Sequence, residues 1–119
     1  MSDYTLGAIE GKFAKLIWEN EPISSGDLVK LCEKELGWKK STTYTVLKRL
    51  CLREIFQNTD GCVTSLISEK DFYSLQSEEF IDETFNGSLP GFLAAFTRRK
   101  KLSDKEIEEL KKLIDENRR

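Results

Sequence analysis

Between Trp38 and Arg53 the chain reads WKKSTTYTVLKRLCLR, with five basic residues (Lys39, Lys40, Lys48, Arg49, Arg53) and no acidic one. Ser41, Thr42, Tyr44 and Thr45 set hydroxyls among those cations. Short hydroxyls can hydrogen-bond the edges of bases, and cations beside them can pair with phosphates. The same stretch carries the means of holding such groups in place. Val46, Leu47, Leu50 and Cys51 recur at i, i+1, i+4 and i+5, the apolar stripe of a helix. The spacing predicts a helix from about Ser41 to Glu54, with Ser41 or Thr42 as N-cap. Its outer face would present Thr42, Tyr44, Thr45, Lys48 and Arg49. A helix of this kind suits a DNA major groove, and it is equally compatible with an ordinary surface helix that has a basic face.

Composition narrows the chemistry. The chain has 119 residues, enough for one domain or a small domain with an appended element. It contains no histidine, so the commonest general base, metal ligand and pH switch are all missing. There is no phosphate-binding glycine loop and no nucleophile with a partner; the carboxylates, such as Glu106, Glu108 and Glu109, lie on solvated helical faces. An enzyme is not expected, nor any metal or cofactor. Three cysteines, Cys32, Cys51 and Cys62, lack close-pair spacing and fit a reducing cytosol. Cys32 and Cys51 fall on apolar helix faces as small core residues, while Cys62 lies in a turn region. No apolar run approaches membrane-spanning length, and the first residues lack the pattern of a signal peptide. Net charge is −2, so nucleic-acid binding would depend on where charge sits. The balance is +5 from Trp38 to Arg53, and Arg98 to Lys101 form a second basic run.

The elements around the basic stretch follow from periodicity and punctuation. Leu6, Ile9, Phe13, Leu16 and Ile17 predict a first helix ending near Asn20, stopped by Pro22. Ser24 and Asp27 read as a capping box opening a second helix, with Leu28, Val29, Leu31, Cys32 and Leu36 inward and Gly37 just past its end. The basic helix comes next, in the order of a helix-turn-helix. Ile55–Asn58 and Cys62–Ile67 then read as two strands around a turn containing Asp60-Gly61. Three helices and a hairpin make a winged helix, assigned to residues 1–71. Residues 72–119 are expected to be helical, with Pro90 in the first turn of a short element and Ser103 and Glu106 forming a second capping box. That region is too small to bury its phenylalanines in a core of its own. A homodimer through Phe80, Ile81, Phe85, Phe92, Phe96, Ile107, Leu110 and Ile114 is therefore expected. Trp18 and Trp38 read as packing residues, since duplex DNA hides its base faces. The fold class is mainly α with a small β-hairpin: a winged helix-turn-helix DNA-binding domain plus a C-terminal helical dimerisation region.

Two blocks of residues extend this reading. The first is Leu16-Ile17-Trp18 followed by Trp38, Ser41-Thr42-Thr43-Tyr44-Thr45-Val46-Leu47, Arg49 and Leu50. The second is Phe85, Gly87-Ser88-Leu89, then Leu102-Ser103 and Glu106-Ile107-Glu108-Glu109-Leu110. Together they make the chain, from about Leu6 onward, resemble the penicillinase and methicillin-resistance repressors, relatives of copper-responsive repressors. The resemblance implies a homodimeric repressor that holds a palindromic double-stranded operator. It puts DNA contacts at Ser41, Thr42, Tyr44 and Thr45 and matches Arg49 to a recurrent arginine, while Lys39, Lys40 and Lys48 read as phosphate contacts. Arg49 could equally pair with an acidic neighbour inside the fold. The resemblance also implies release through cleavage by a membrane metalloprotease sensor, at the position of Ala95-Phe96.

Some residues depart from the family's pattern. Alanine stands at 95 where the family has asparagine, so Phe96 reads more simply as a ring of the dimer core. No cysteine follows Cys62, so the Cys-x-Cys copper site of the relatives has no counterpart. Arg53-Glu54 replaces the family's Lys-Gly, and a left-handed cap is expected to be lost there. The wing, Glu54 to Glu69, contains no Lys or Arg, and its acids would repel phosphate. That feature supports the alternative of a winged-helix protein–protein module, an antirepressor or adaptor with little DNA affinity.

Overall fold

The computed structural model describes residues 4–118. Its elements run α1 (Ala8–Asn20), β1 (Ile23–Ser24), α2 (Ser25–Leu36), α3 (Lys40–Leu52), β2 (Phe56–Thr59), β3 (Cys62–Ser65), α4 (Glu69–Phe85), α5 (Leu89–Thr97) and α6 (Asp104–Glu116). The three strands form one antiparallel sheet in the order β1-β3-β2. Three helices with this small sheet are a winged helix. The two-residue β1 has no periodicity to reveal it; it exists because Ile23 pairs with Val63 across the sheet.

Local signals set most boundaries. Ser24 caps α2 by accepting a hydrogen bond from the Asp27 N–H at 3.0 Å, and Gly37 closes it at φ +68. Asp60 and Gly61 both have positive φ, as a two-residue I′ hairpin turn demands, and they set β2 against β3 in the register Thr59 to Cys62. Ser103 and Glu106 exchange two hydrogen bonds, at 3.0 and 3.1 Å, as a complete capping box.

Two expectations about α3 are corrected. Its N-cap is Lys39, with no side-chain cap, so Ser41 and Thr42 lie inside the first turn rather than before it. The packing of Trp38 explains the earlier start: its ring stacks on Phe13 at 5.3 Å and fixes the chain just ahead of the helix. At the other end the left-handed cap is kept, with Glu54 at φ +61. The Ile55 N–H bonds the Leu50 carbonyl and the Glu54 N–H bonds that of Cys51, a Schellman closure. Burial of Ile55 and Phe56 in the core holds that geometry although no glycine is present.

The core gathers Phe13, Ala14 and Ile17 of α1, Leu28 and Cys32 of α2, Val46, Leu47 and Leu50 of α3, Ile55, Phe56, Val63 and Phe72. Trp18 lies at its edge against Phe56, Phe72 and Tyr73, with its indole N–H on the Ile67 carbonyl at 3.0 Å. Glu21 fixes the wing to the end of α1: its carboxylate accepts from both the N–H and the hydroxyl of Ser65 at 2.8 Å.

The chain divides into two compact units, one ending at Glu79 and the other beginning at Phe80, so the division falls within α4. Phe72 belongs to the first. In the second, Phe80, Phe85 and Phe92 meet edge to face at 5.6–6.0 Å, and Phe96 lies 6.1 Å from Phe92. No residue of α5 or α6 is buried. No helix among the described residues is long and apolar enough to cross a membrane.

Candidate nucleic-acid interface

α3 is anchored by one face and open on the other. Thr43, Val46, Leu47 and Leu50 are buried, and Cys51 is half-buried beside them. Lys39, Lys40, Ser41, Thr42, Tyr44, Thr45, Lys48 and Arg49 are exposed. The apolar periodicity does not reveal Thr43; its hydroxyl can enter the core because it returns to the Lys39 carbonyl, at 3.4 Å. The exposed hydroxyls differ in what they have left to offer. Thr45 donates its proton to the Ser41 carbonyl at 2.9 Å, so outward it presents a methyl and an acceptor. Tyr44 donates to the Ser25 hydroxyl at 3.2 Å, across to the start of α2. Among the described residues, the side chains of Ser41 and Thr42 have no hydrogen-bond partner.

The cations divide in the same way. Among the described residues, Lys39, Lys40 and Lys48 have no ion-pair partner. Arg49 pairs with Glu10 of α1, Nη1 to Oε2 at 3.1 Å, and its side chain stays half-exposed. Arg53 donates to the Thr5 carbonyl at 2.9 Å. Thus Glu10, Thr5 and Ser25 all shape this surface, though no linear pattern connects them to α3. Ser25 is the most legible of the three, because it opens the helix that precedes α3 in a helix-turn-helix.

Beside α3, a hollow of about 310 Å³ is lined by Tyr44, Leu47, Lys48, Cys51 and the wing residue Asn58. Desolvation raises the Cys51 thiol above its ordinary value, more than a backbone hydrogen bond at Asn58 lowers it. Burial raises Cys32 likewise, against a hydrogen bond with Thr43. In both, burial disfavours the thiolate. Cys62 is exposed in the wing.

The residues expected to form a dimer lie on three helices: Phe80, Ile81 and Phe85 on α4, Phe92 and Phe96 on α5, and Ile107, Leu110 and Ile114 on α6. Phe80 and Phe96 remain 47% and 42% exposed, and Ile114 52%. Ala95 and Phe96 lie within α5, both exposed.

A family model described as penicillinase repressor matches residues 6–116. The chain belongs to the penicillinase repressor family. Among its relatives, a penicillinase repressor of Bacillus licheniformis is 29% identical over 108 residues, covering 87% of this chain and 84% of the relative. The methicillin resistance regulatory protein MecI of Staphylococcus aureus is 25% identical over 116 residues, 94% of each chain. The same-named protein of Mammaliicoccus sciuri is 24% identical over equal coverage. This is a family of repressors rather than of enzymes, and the match spans both units of the fold.

Proposed function

We propose that the protein is a DNA-binding transcriptional repressor that holds a palindromic operator as a homodimer and reads it with α3. The observation that carries this reading is the two-sided character of α3. Four buried side chains lock one face, and the other face sets Ser41, Thr42, Tyr44 and Thr45 beside Lys39, Lys40 and Lys48. In this reading Thr42 contacts a base edge, Thr45 offers a methyl to thymine, Ser41 meets a phosphate at the helix N-terminus, and the lysines position the helix on the backbone. Arg49, bonded to Glu10, orients α3 against α1 more than it grips DNA. The relatives' names, penicillinase repressor and methicillin resistance regulatory protein, support the regulatory role.

The second unit supports the dimer of this reading. The apolar face of α6 carries Ile107, Leu110 and Ile114 and is open toward its C-terminal end, and Phe80 and Phe96 add exposed rings. A second copy covers such a surface with the least new chemistry. Within the same reading Phe96 is a ring of the dimer core; it is the resemblance alone that makes Ala95-Phe96 the bond a membrane metalloprotease sensor would cut, and the family's asparagine is absent at 95.

The cation-free wing favours a second reading, a protein–protein module with little DNA affinity. Titration against duplex from the protein's own promoter region and against an unrelated duplex, at two salt concentrations, separates the two. A preference of ~10³-fold or more for the first duplex supports the repressor. Equal weak binding to both, lost at physiological salt, supports the module.

A further inference from the structure

The wing has no Lys or Arg, and Arg49 and Arg53 are engaged within the fold, so Lys39, just ahead of α3, and Lys40 and Lys48 within it are the cations left to face DNA from that region. The protein as a whole is acidic, with a net charge of −2. Yet the turn between α5 and α6 holds four consecutive cations, Arg98, Arg99, Lys100 and Lys101. All four are exposed, and among the described residues none of them has an ion-pair or side-chain hydrogen-bond partner. Lys100 alone lies close enough to act electrostatically on an acid, Glu106. One or two cations would serve the C-terminal dipole of α5. Four, unpaired and in a turn, make a dense positive patch that the helix does not need.

We propose that Arg98–Lys101 form a second phosphate-binding element that holds duplex DNA without regard to sequence. This deepens the repressor reading and rests on it for the identity of the polyanion. A phosphate backbone suits the patch better than a membrane surface does. Peripheral membrane binding needs an open apolar helix face beside the cations. Here Phe85 and Phe92 pack edge to face on one another, and the exposed rings Phe80 and Phe96 lie on the surface that the proposed second copy covers.

The test compares the full-length protein with a variant carrying Arg98→Gln, Arg99→Gln, Lys100→Gln and Lys101→Gln, and with Arg98→Lys/Arg99→Lys as a charge-conserving control. Affinity for promoter duplex and unrelated duplex is measured across a salt series. For every phosphate that the protein ceases to neutralise, the slope of log affinity against log salt becomes shallower by about 0.9. The expected result is a slope smaller by ~2 or more on both duplexes, with the ratio between them kept within about threefold and the control like wild type. A smaller change in slope overturns the proposal, and so does a weakening confined to the promoter duplex. A wild type without promoter preference whose slope still falls in the glutamine variant keeps this element and removes the repressor reading. Unchanged DNA slopes, with pelleting on phosphatidylserine vesicles that the glutamine substitutions abolish, assign the patch to lipid and overturn the proposal.

Discussion

The hydroxyls of α3 are alike in sequence and unlike in the structure. Thr45 has committed its proton to the Ser41 carbonyl, whereas Thr42 has not. Valine keeps the shape of threonine and removes the hydroxyl. Thr42→Val should therefore weaken operator discrimination by about 1–3 kcal/mol, and Thr45→Val should change it only severalfold, because the methyl remains. Equal losses in a gel-shift comparison of the two would refute that division. The cysteines also separate. Cys62 should be alkylated first in the native protein and Cys32 only on unfolding, which mass spectrometry of timed iodoacetamide reactions can read. The core role of Cys32 was legible in its helical position, and Cys51 packs at the core's edge, half-buried. The pairing of Arg49 with Glu10 was not, because 39 residues separate them and only the packing of α1 on α3 brings them together.

At the scale of elements, caps were the most legible feature and also the site of two corrections. Ser24, Gly37, Asp60-Gly61 and Ser103 act as their residue types require. The left-handed Glu54 does not, since a side chain there is strained. Glu54→Gly should raise stability by about 0.5–1 kcal/mol, seen as a higher denaturation midpoint with an unchanged slope. At the start of α6, the Ser103 N–H, followed by the Ser103 hydroxyl and the charge of Lys100, holds the Glu106 carboxyl below its ordinary value of 4.5. A carboxyl lowered in the folded state contributes stability that is full above the ordinary value and is lost as pH falls through the folded one. α6 should thus loosen on acidification just below pH 4.5, and Glu106→Gln should flatten that dependence in a helicity titration.

For the molecule as a whole, the two units bury their side chains differently. The first has a closed core, in which Phe72 of α4 is fully enclosed. Phe72→Ala should cost about 3–5 kcal/mol of its stability, read from the shift of a denaturation curve. The second leaves apolar side chains of α6 open. Leu110→Asp should accordingly yield monomers by sedimentation equilibrium and weaken operator binding, while the winged helix keeps its melting behaviour. A dimer that survives this change would place the interface elsewhere.

Sequence by itself determined the order of helices and hairpin, the turn at Asp60-Gly61, the basic helix with its apolar anchor, and the kinship with repressors. Each of these rests on residues near one another in the chain, where spacing and backbone preference act directly. Only the tertiary structure decided that Lys39 precedes α3, that Ile23 finds Val63, that Glu54 accepts a left-handed backbone, and that α4 gives Phe72 to the winged-helix core. Those outcomes depend on packing between residues far apart in sequence. There the free energy of filling a core outweighs the smaller local preferences that a pattern of residues can show.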